Sequence, residues 1–422
     1  MHDAGLMNMR TNLVATAATT ALILGTLVAP AEAASARGHS ASTRSVPQGF
    51  AGVTMDPWEM KRDRIDVNAE MQRAAAAGVE TVRFPIYWFD LQHYENGSFN
   101  WTALDEFIGA AARAHMGLMA NLLGAPRWAA DPRYLDGSTS VTLTIPRDPN
   151  EFAAFASAVV SRYKPGGQFW VNNPSLTRPN FRYWQVWNEP DFTRFWPQHL
   201  GERQTVKIGR KKVTSSDFRF APTYLELLRP ASAAIRAADP TAKIMLGSMT
   251  NLAWESFSRL YKAGGKSLVA SGLFDAVGLN IFTSTPANLM TSVSKTRAIL
   301  KANGDGGAPI ALTEYSWSSS KGITFPDMKV SYINVTKAKQ ASNLTTAFSL
   351  LQRNRSALGI DSLYWYSWAT PDSGTATTWD YTGLRGYPNG TPTDKPALVA
   401  FSKVALAAEG CTAKTFADSC RP

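Results

Sequence analysis

Strand-like and helix-like runs alternate eight times along this chain, and few architectures accommodate that order. Short apolar runs fall at 51–54, 79–84, 117–122, 182–187, 243–247, 275–280, 309–313 and 362–366. Helical periodicity fits 66–77, 103–115, 149–163, 222–238, 253–263, 287–302, 338–353 and 394–407. Asp66, Thr102 and the pair Asp148-Pro149 mark helix starts, and Gly78 and Gly117 sit where helices should stop. A strand that returns through a helix pairs in parallel with the next strand, and eight such units predict a closed (β/α)8 TIM barrel rather than an open sheet. The doubly wound alternative calls for a glycine-rich phosphate turn after an early strand, and the sequence has none. No shift in composition divides residues 47–422, so they are expected to form one domain. The longer connections follow strands 2, 3, 4, 7 and 8, which in a barrel all lie on the C-terminal face.

The first residues carry a different pattern. Arg10 precedes an apolar run from Leu13 to Val28, then Ala31-Glu32-Ala33 and Ala34. A basic start, an apolar stretch of about 16 residues and an A-x-A site predict a signal peptide over residues 1–33, cleaved near Ala33. The run is short for a stable membrane span, so the chain is expected to be secreted, to the extracellular space or the cell envelope. Residues 34–46, rich in Ser, Ala, Arg and Gly, read as a flexible leader. The two cysteines of the chain, Cys411 and Cys420, then suggest one disulfide that clips the C-terminal tail. Two Cys and 5 scattered His offer no metal-ligand spacing, and no cofactor site is expected.

Lys and Arg exceed Asp and Glu by 43 to 33, for a net charge of +10. The local concentration is Arg203, Lys207, Arg210, Lys211, Lys212 and Arg219. Residues 206–213 alternate enough for a short hairpin turning near Gly209, although a solvated basic loop fits the charge run better. No nucleic-acid motif accompanies these residues.

Two strand-like runs end on glutamates. Tyr183-Trp184-Gln185-Val186-Trp187-Asn188-Glu189-Pro190-Asp191 stops at Pro190, which cannot continue a sheet ladder. Pro309-Ile310-Ala311-Leu312-Thr313-Glu314-Tyr315 closes on Glu314, 125 residues after Glu189. In a barrel both tips face one bowl, and paired carboxylates there suit acid–base and nucleophilic chemistry at a sugar acetal.

This pattern resembles the retaining (β/α)8 glycoside hydrolases of clan A. Trp187-Asn188-Glu189-Pro190 looks like the strand-4 motif of that clan, and Glu314 like its strand-7 nucleophile. The Trp-x-x-Trp-Asn-Glu-Pro-Asp form is similar to family 39 and to related bacterial exopolysaccharide endoglycosidases, over roughly residues 48–407. The resemblance implies a polysaccharide or oligosaccharide substrate. Glu314 would attack the anomeric carbon and Glu189 would serve as acid, then base. The charge on Glu314 would raise the pKa of Glu189 and keep it an acid near neutral pH. Arg83, in Val82-Arg83-Phe84-Pro85, matches the clan arginine that keeps the nucleophile ionised. Asn188 would bind the sugar 2-hydroxyl. Trp365 or Trp368 would floor the subsite beside the cleaved bond, and Trp88 and Trp128 are expected stacking platforms. Strands 3 and 6 depart from common relatives. Asn121 stands where many have a His and is expected to contact sugar. Asn280 stands near a tip where relatives carry His or Tyr; it can donate a hydrogen bond and is expected among the substrate-binding residues with Tyr315, while Tyr315 or Tyr87 is expected to orient the nucleophile.

A secreted retaining glycosidase is therefore the expected function, with acidic glycans as one substrate class suggested by the basic insertion. A barrel that binds polysaccharide without cutting it is the alternative from another class. A transglycosylase would use the same carboxylate pair.

Overall fold

The computed structural model describes residues 44–132, 144–196, 204–208, 211–215, 220–326 and 330–421. The expected signal peptide and residues 34–43 of the leader lie outside them. Eight parallel strands close into a barrel in chain order: Ala51–Thr54, Thr81–Tyr87, Gly117–Leu123, Phe181–Asn188, Ile244–Met249, Ala276–Asn280, Ile310–Tyr315 and Ile360–Trp365. The first strand pairs with both the second and the eighth, which completes the closure. The outer helices are Val67–Ala76, Thr102–Arg113, Pro149–Tyr163, Ala221–Ala238, Ala253–Gly264, Pro286–Ala302, Lys337–Leu358 and Pro396–Glu409. Among the described residues, no helix is long and apolar enough to cross a membrane.

Local chemistry explains most element ends. Asp66 and Asp148 cap their helices by accepting from backbone N–H groups two residues on, as expected. Thr102 is instead the first helical residue; its N–H is met by the Asn100 side chain. Gly78 follows its helix with φ of 89°, a conformation that glycine adopts freely. Gly117 does not end the preceding helix, because His115 makes that left-handed turn (φ 56°). Gly117 opens the third strand, where a Cβ would meet Thr81 Cγ2 at 2.7 Å.

The leader ends earlier than expected. Arg44 pairs with Glu80 and, at 3.5 Å, with Glu409; Ser45 donates to the Ala408 carbonyl and Val46 is buried. Residues 44–46 therefore belong to the barrel body, because two buried carboxylates beneath it draw the arginine down. Cys411 and Cys420 are joined in a disulfide just after the last helix. The basic segment is a hairpin rather than a loop: Gln204–Ile208 pairs antiparallel with Lys211–Ser215, with Ile208 opposite Lys211. Its side chains lie outside the described residues. After the eighth strand, three short strands, Ala369–Thr370, Arg385–Gly386 and Thr393–Asp394, form a small sheet on the C-terminal face.

Most of the core lies between barrel and helices. The barrel floor is a separate apolar layer of Met119, Tyr183, Met245, Ala276, Ala311 and Tyr364. Two residues further along three of these strands the inward face turns polar, with Asn121, Gln185 and Thr313, while Gly278 on the sixth strand leaves space beside them. The candidate site residues stand on and beside this layer.

Candidate active site

Strict alternation would not bring both glutamates inward, and local distortions do so. On the fourth strand Trp187 and Glu189 have φ of 70° and 46°, left-handed values that non-glycine residues rarely adopt. They break the two-residue period, so Asn188 and Glu189 both reach the barrel mouth. Asp191 fixes the turn beyond, accepting from the Thr250 backbone at 3.0 Å and from Ser256 Oγ at 2.6 Å. On the seventh strand the register against the sixth slips between Leu312 and Glu314, an irregularity that lets Glu314 follow Thr313 into the interior.

Arg83 organises the site from the second strand. Its guanidinium donates from Nη1 to Glu314 Oε1 (2.7 Å), from Nη2 to Asn188 Oδ1 (2.8 Å) and from Nε to Gln185 Oε1 (2.9 Å). Asn121, with its amide turned to suit these neighbours, accepts from Arg83 Nη2 at 3.1 Å and donates to the Trp187 carbonyl at 3.0 Å. Asn280 donates to Glu189 Oε1 at 2.8 Å and to Asn188 Oδ1 at 3.2 Å. Arg83 and Asn280 thus position the carboxyls. The expected orienting groups do not: Tyr315 is wholly buried with its ring against Trp365, and the Tyr87 hydroxyl donates to Asp56.

The two glutamates are each 8% exposed. Burial, the charge on Glu314 and the nearby Asp191 push Glu189 up to about 8, against the opposing pull of Asn280 and Arg83. Burial raises Glu314 as well, but its direct contact with Arg83 works strongly against that rise. Arg83 touches Glu314 and not Glu189, so Glu314 is the first of the pair to ionise. The arrangement favours charge on Glu314 and a proton on Glu189.

Above them opens a cleft of about 220 Å³, lined by Arg83, Asn121, Asn188 and Glu314 from the barrel. Its aromatic walls are not the expected ones. Trp365 is fully buried and its indole donates to the Thr382 carbonyl, so it cannot floor a subsite. Trp368 does line the cleft, held by a 2.6 Å bond from its indole to Glu70, although it exposes little surface. Trp88 is core, stacked on Phe155 at 5.5 Å. Trp128 is half-buried against the edge of Trp88 and does not line the cleft formed by the described residues. Tyr366, Trp379 and Tyr87 take the wall positions instead. Tyr366 and Trp379 meet edge to face at 5.8 Å, with Phe282 4.6 Å from Trp379. Tyr366 shares a face with Tyr364, which the closed barrel turns inward; period two alone links the two rings without saying which face is inside. The carboxyls of Asp56, Glu59 and Asp380 line the same cleft, and no sequence signal marked them.

No known family model matches the chain, and no curated protein does. Solved structures do. The chain is similar to a family 39 glycoside hydrolase from Bacteroides cellulosilyticus (16% identity, TM-score 0.59), over 86% of this chain and 64% of that one. It is also similar to a monomeric beta-xylosidase from Caulobacter crescentus (16%, TM-score 0.57), over 86% and 69% respectively. A family 1 beta-glucosidase from Thermotoga maritima matches at 12% identity and TM-score 0.57, over 86% of this chain and 98% of that one. The chain spans under two thirds of the length of the family 39 enzyme. At these identities the shared property is the (β/α)8 fold.

Proposed function

We propose that this protein is a retaining glycosidase acting on a polysaccharide or oligosaccharide. The observation that carries the reading is the unequal treatment of two buried, interacting carboxyls at the barrel mouth, with Arg83 bonded to Glu314 at the cleft wall and none of its bonds on Glu189. Glu314 attacks the anomeric carbon while Glu189 gives its proton to the leaving oxygen, leaving a glycosyl ester on Glu314. Water then opens that ester as Glu189 takes the proton back. Asn188, fixed by Arg83 and Asn280, is placed to meet a substrate hydroxyl through its amide N–H. The folds of the similar glycosidases support the reading without fixing the sugar.

The cleft also bears on substrate charge. Arg83 is matched by Glu314, and Arg62 is engaged by Asp63 at 2.8 and 3.1 Å. Among the described residues Glu59 has no ion-pair partner, and it stands with Asp56 and Asp380 on one wall. Burial and Asp56 push Glu59 up to about 7. That balance favours a neutral or amine-bearing glycan over the acidic one that the net charge suggests. We further read the chain as exported, on the strength of its N-terminal pattern and its disulfide.

The test is product release from neutral, acidic and amine-bearing polysaccharides by the purified protein, Glu314→Ala and Glu189→Ala. The reading requires release by the wild type that both substitutions abolish. Release that survives Glu314→Ala would remove the assigned nucleophile. Binding by all three proteins with no release would make the barrel a non-catalytic binder. Preference for the acidic polymers would overturn the charge argument alone.

A further inference from the structure

The polar layer beneath the carboxyls forms a closed circuit whose hydrogen-bond direction has one solution. Arg83 has no acceptor, so its Nε–H must donate to Gln185 Oε1. That fixes the Gln185 amide, whose Nε2 donates to Ser248 Oγ. Ser248 and Thr313 hydroxyls lie 2.6 Å apart, and Thr313 Oγ1 lies 2.8 Å from Asn280 Oδ1. Asn188 Oδ1 accepts from Arg83, so the Asn280 atom 3.2 Å from it is Nδ2; Asn280 Oδ1 therefore faces Thr313, which donates to it, and Ser248 donates to Thr313. Asn280 then presents Nδ2 to Glu189 Oε1 and to Asn188 Oδ1, and Asn188 Oδ1 accepts in turn from Arg83. Gln185, Ser248, Thr313 and Asn280 are all buried, and Gly278 leaves room for the contact: a Cβ there would lie 2.8 Å from Ser248 Oγ.

We propose that Gln185, Ser248 and Thr313 are positioning residues that lock the Asn280 amide so that Glu189 Oε1 can only accept, which confines the acid's proton to Oε2. The inference rests on the assignment of Glu189 as the acid of the reaction. Asparagine oxygen and nitrogen are nearly equal in size, so shape alone does not choose between the two orientations of the Asn280 amide. The circuit chooses. Asn188 Oδ1, held as an acceptor by Arg83, favours the same orientation at 3.2 Å; without the shorter Thr313 bond that contact alone holds the amide, and a turned amide places its oxygen against Glu189, where the acid's proton would bond to Asn280 instead of facing the cleft. The donor that favours ionised Glu189 is lost at the same time. The charged and titratable groups around Glu189 are Glu314 on the seventh strand, Arg83 on the second, Tyr366 after the eighth and Asp191 in its own loop. The substitutions below leave all four in place.

The experiment follows the carboxyl of Glu189 by 13C NMR in protein labelled at glutamate side chains, with Glu189→Gln to assign the signal. It compares wild type with Ser248→Ala, Thr313→Val and Thr313→Ser. In Thr313→Val and Ser248→Ala the titration of Glu189 should move up by about one pH unit, the size of one lost bond to a charged group. Thr313→Ser keeps the hydroxyl and should titrate like wild type. On whichever glycan the enzyme cleaves, kcat should fall about tenfold in Thr313→Val with KM little changed. Thr313→Ser should restore it. An unmoved Glu189 titration in a folded Thr313→Val, or a shift of equal size in Thr313→Ser, would overturn the proposal. Failure of the functional reading would show separately, as catalysis that persists in Glu189→Ala.

Discussion

Replacing Glu189 by Gln should stabilise the fold, and by an amount that depends on pH. The glutamate is buried and its pKa is raised from 4.5 to about 8, first by loss of solvent and then by the charge of Glu314. A carboxyl raised on folding binds more protons in the native than in the unfolded chain between those two values. Its contribution is therefore fully present below pH 4.5 and is lost as pH rises toward 8. At pH 7 the part of that window already crossed is about 2.5 pH units wide, which corresponds to about 3 kcal/mol at 1.36 kcal/mol per unit. Gln does not titrate and keeps an oxygen for Asn280 Nδ2. Unfolding entropy of about 2.1 cal/mol/K per residue gives the body of residues 42–422 about 0.8 kcal/mol per degree. Glu189→Gln should thus melt about 4 °C above wild type at pH 7, while the two should nearly coincide at pH 4. Calorimetry across pH 4–8 reads both curves and needs no substrate. Parallel curves, or a gap that narrows as pH rises, would refute the claim that Glu189 is a buried, protonated acid. A melting gain combined with lost activity is the pattern expected of a residue retained for chemistry.

Arg83→Met removes the cation from Glu314 and leaves Asn188 and Gln185 without their donor. It should cost about 3 kcal/mol or more in chemical denaturation near neutral pH, and activity should fall at least 100-fold, about the loss expected when a buried carboxylate is left unpaired. Trp379→Ala should raise KM about tenfold with kcat nearly unchanged, since its ring faces the cleft. Trp365→Phe should lower the melting temperature and leave KM alone, because that indole is locked inside by the Thr382 carbonyl. Cys411→Ser should reduce stability by about 3 kcal/mol, the loop-entropy value for a short crosslink, and dithiothreitol should lower the wild-type melting temperature by about the same few degrees.

The sequence was most informative where one physical rule acts alone. Barrel strands and outer helices follow from hydrophobic period and caps, so 51–54 and 149–163 match the structure end for end. The carboxyl pair and Arg83 were also legible, since Asn188-Glu189-Pro190 and Thr313-Glu314 combine an apolar run with an abrupt polar stop. The aromatic walls were not, and the reason is register. Along Tyr364-Trp365-Tyr366 a displacement of one residue exchanges the barrel interior for the helix-facing core, and only the closed barrel decides which ring is inside. Trp365 and Trp88 are large and flat, which suits a sugar face and a protein core equally well.

Gln185, Ser248 and Thr313 escaped for a different reason. Each is an ordinary polar residue within an apolar strand, and nothing in its neighbours along the chain gives it a partner. Their partners lie 63 and 65 residues away between Gln185, Ser248 and Thr313, and 102 away between Gln185 and Arg83. What the sequence did offer was a cost: a buried carboxamide or hydroxyl must be paired. With Asn280 they make four such residues on the inward positions of strands 4, 5, 6 and 7, and they satisfy that requirement by bonding one another and Arg83 across the barrel. Once Arg83 enters the circuit as a pure donor, the direction of every bond is determined, and with it the oxygen of Glu189 that is left to hold a proton.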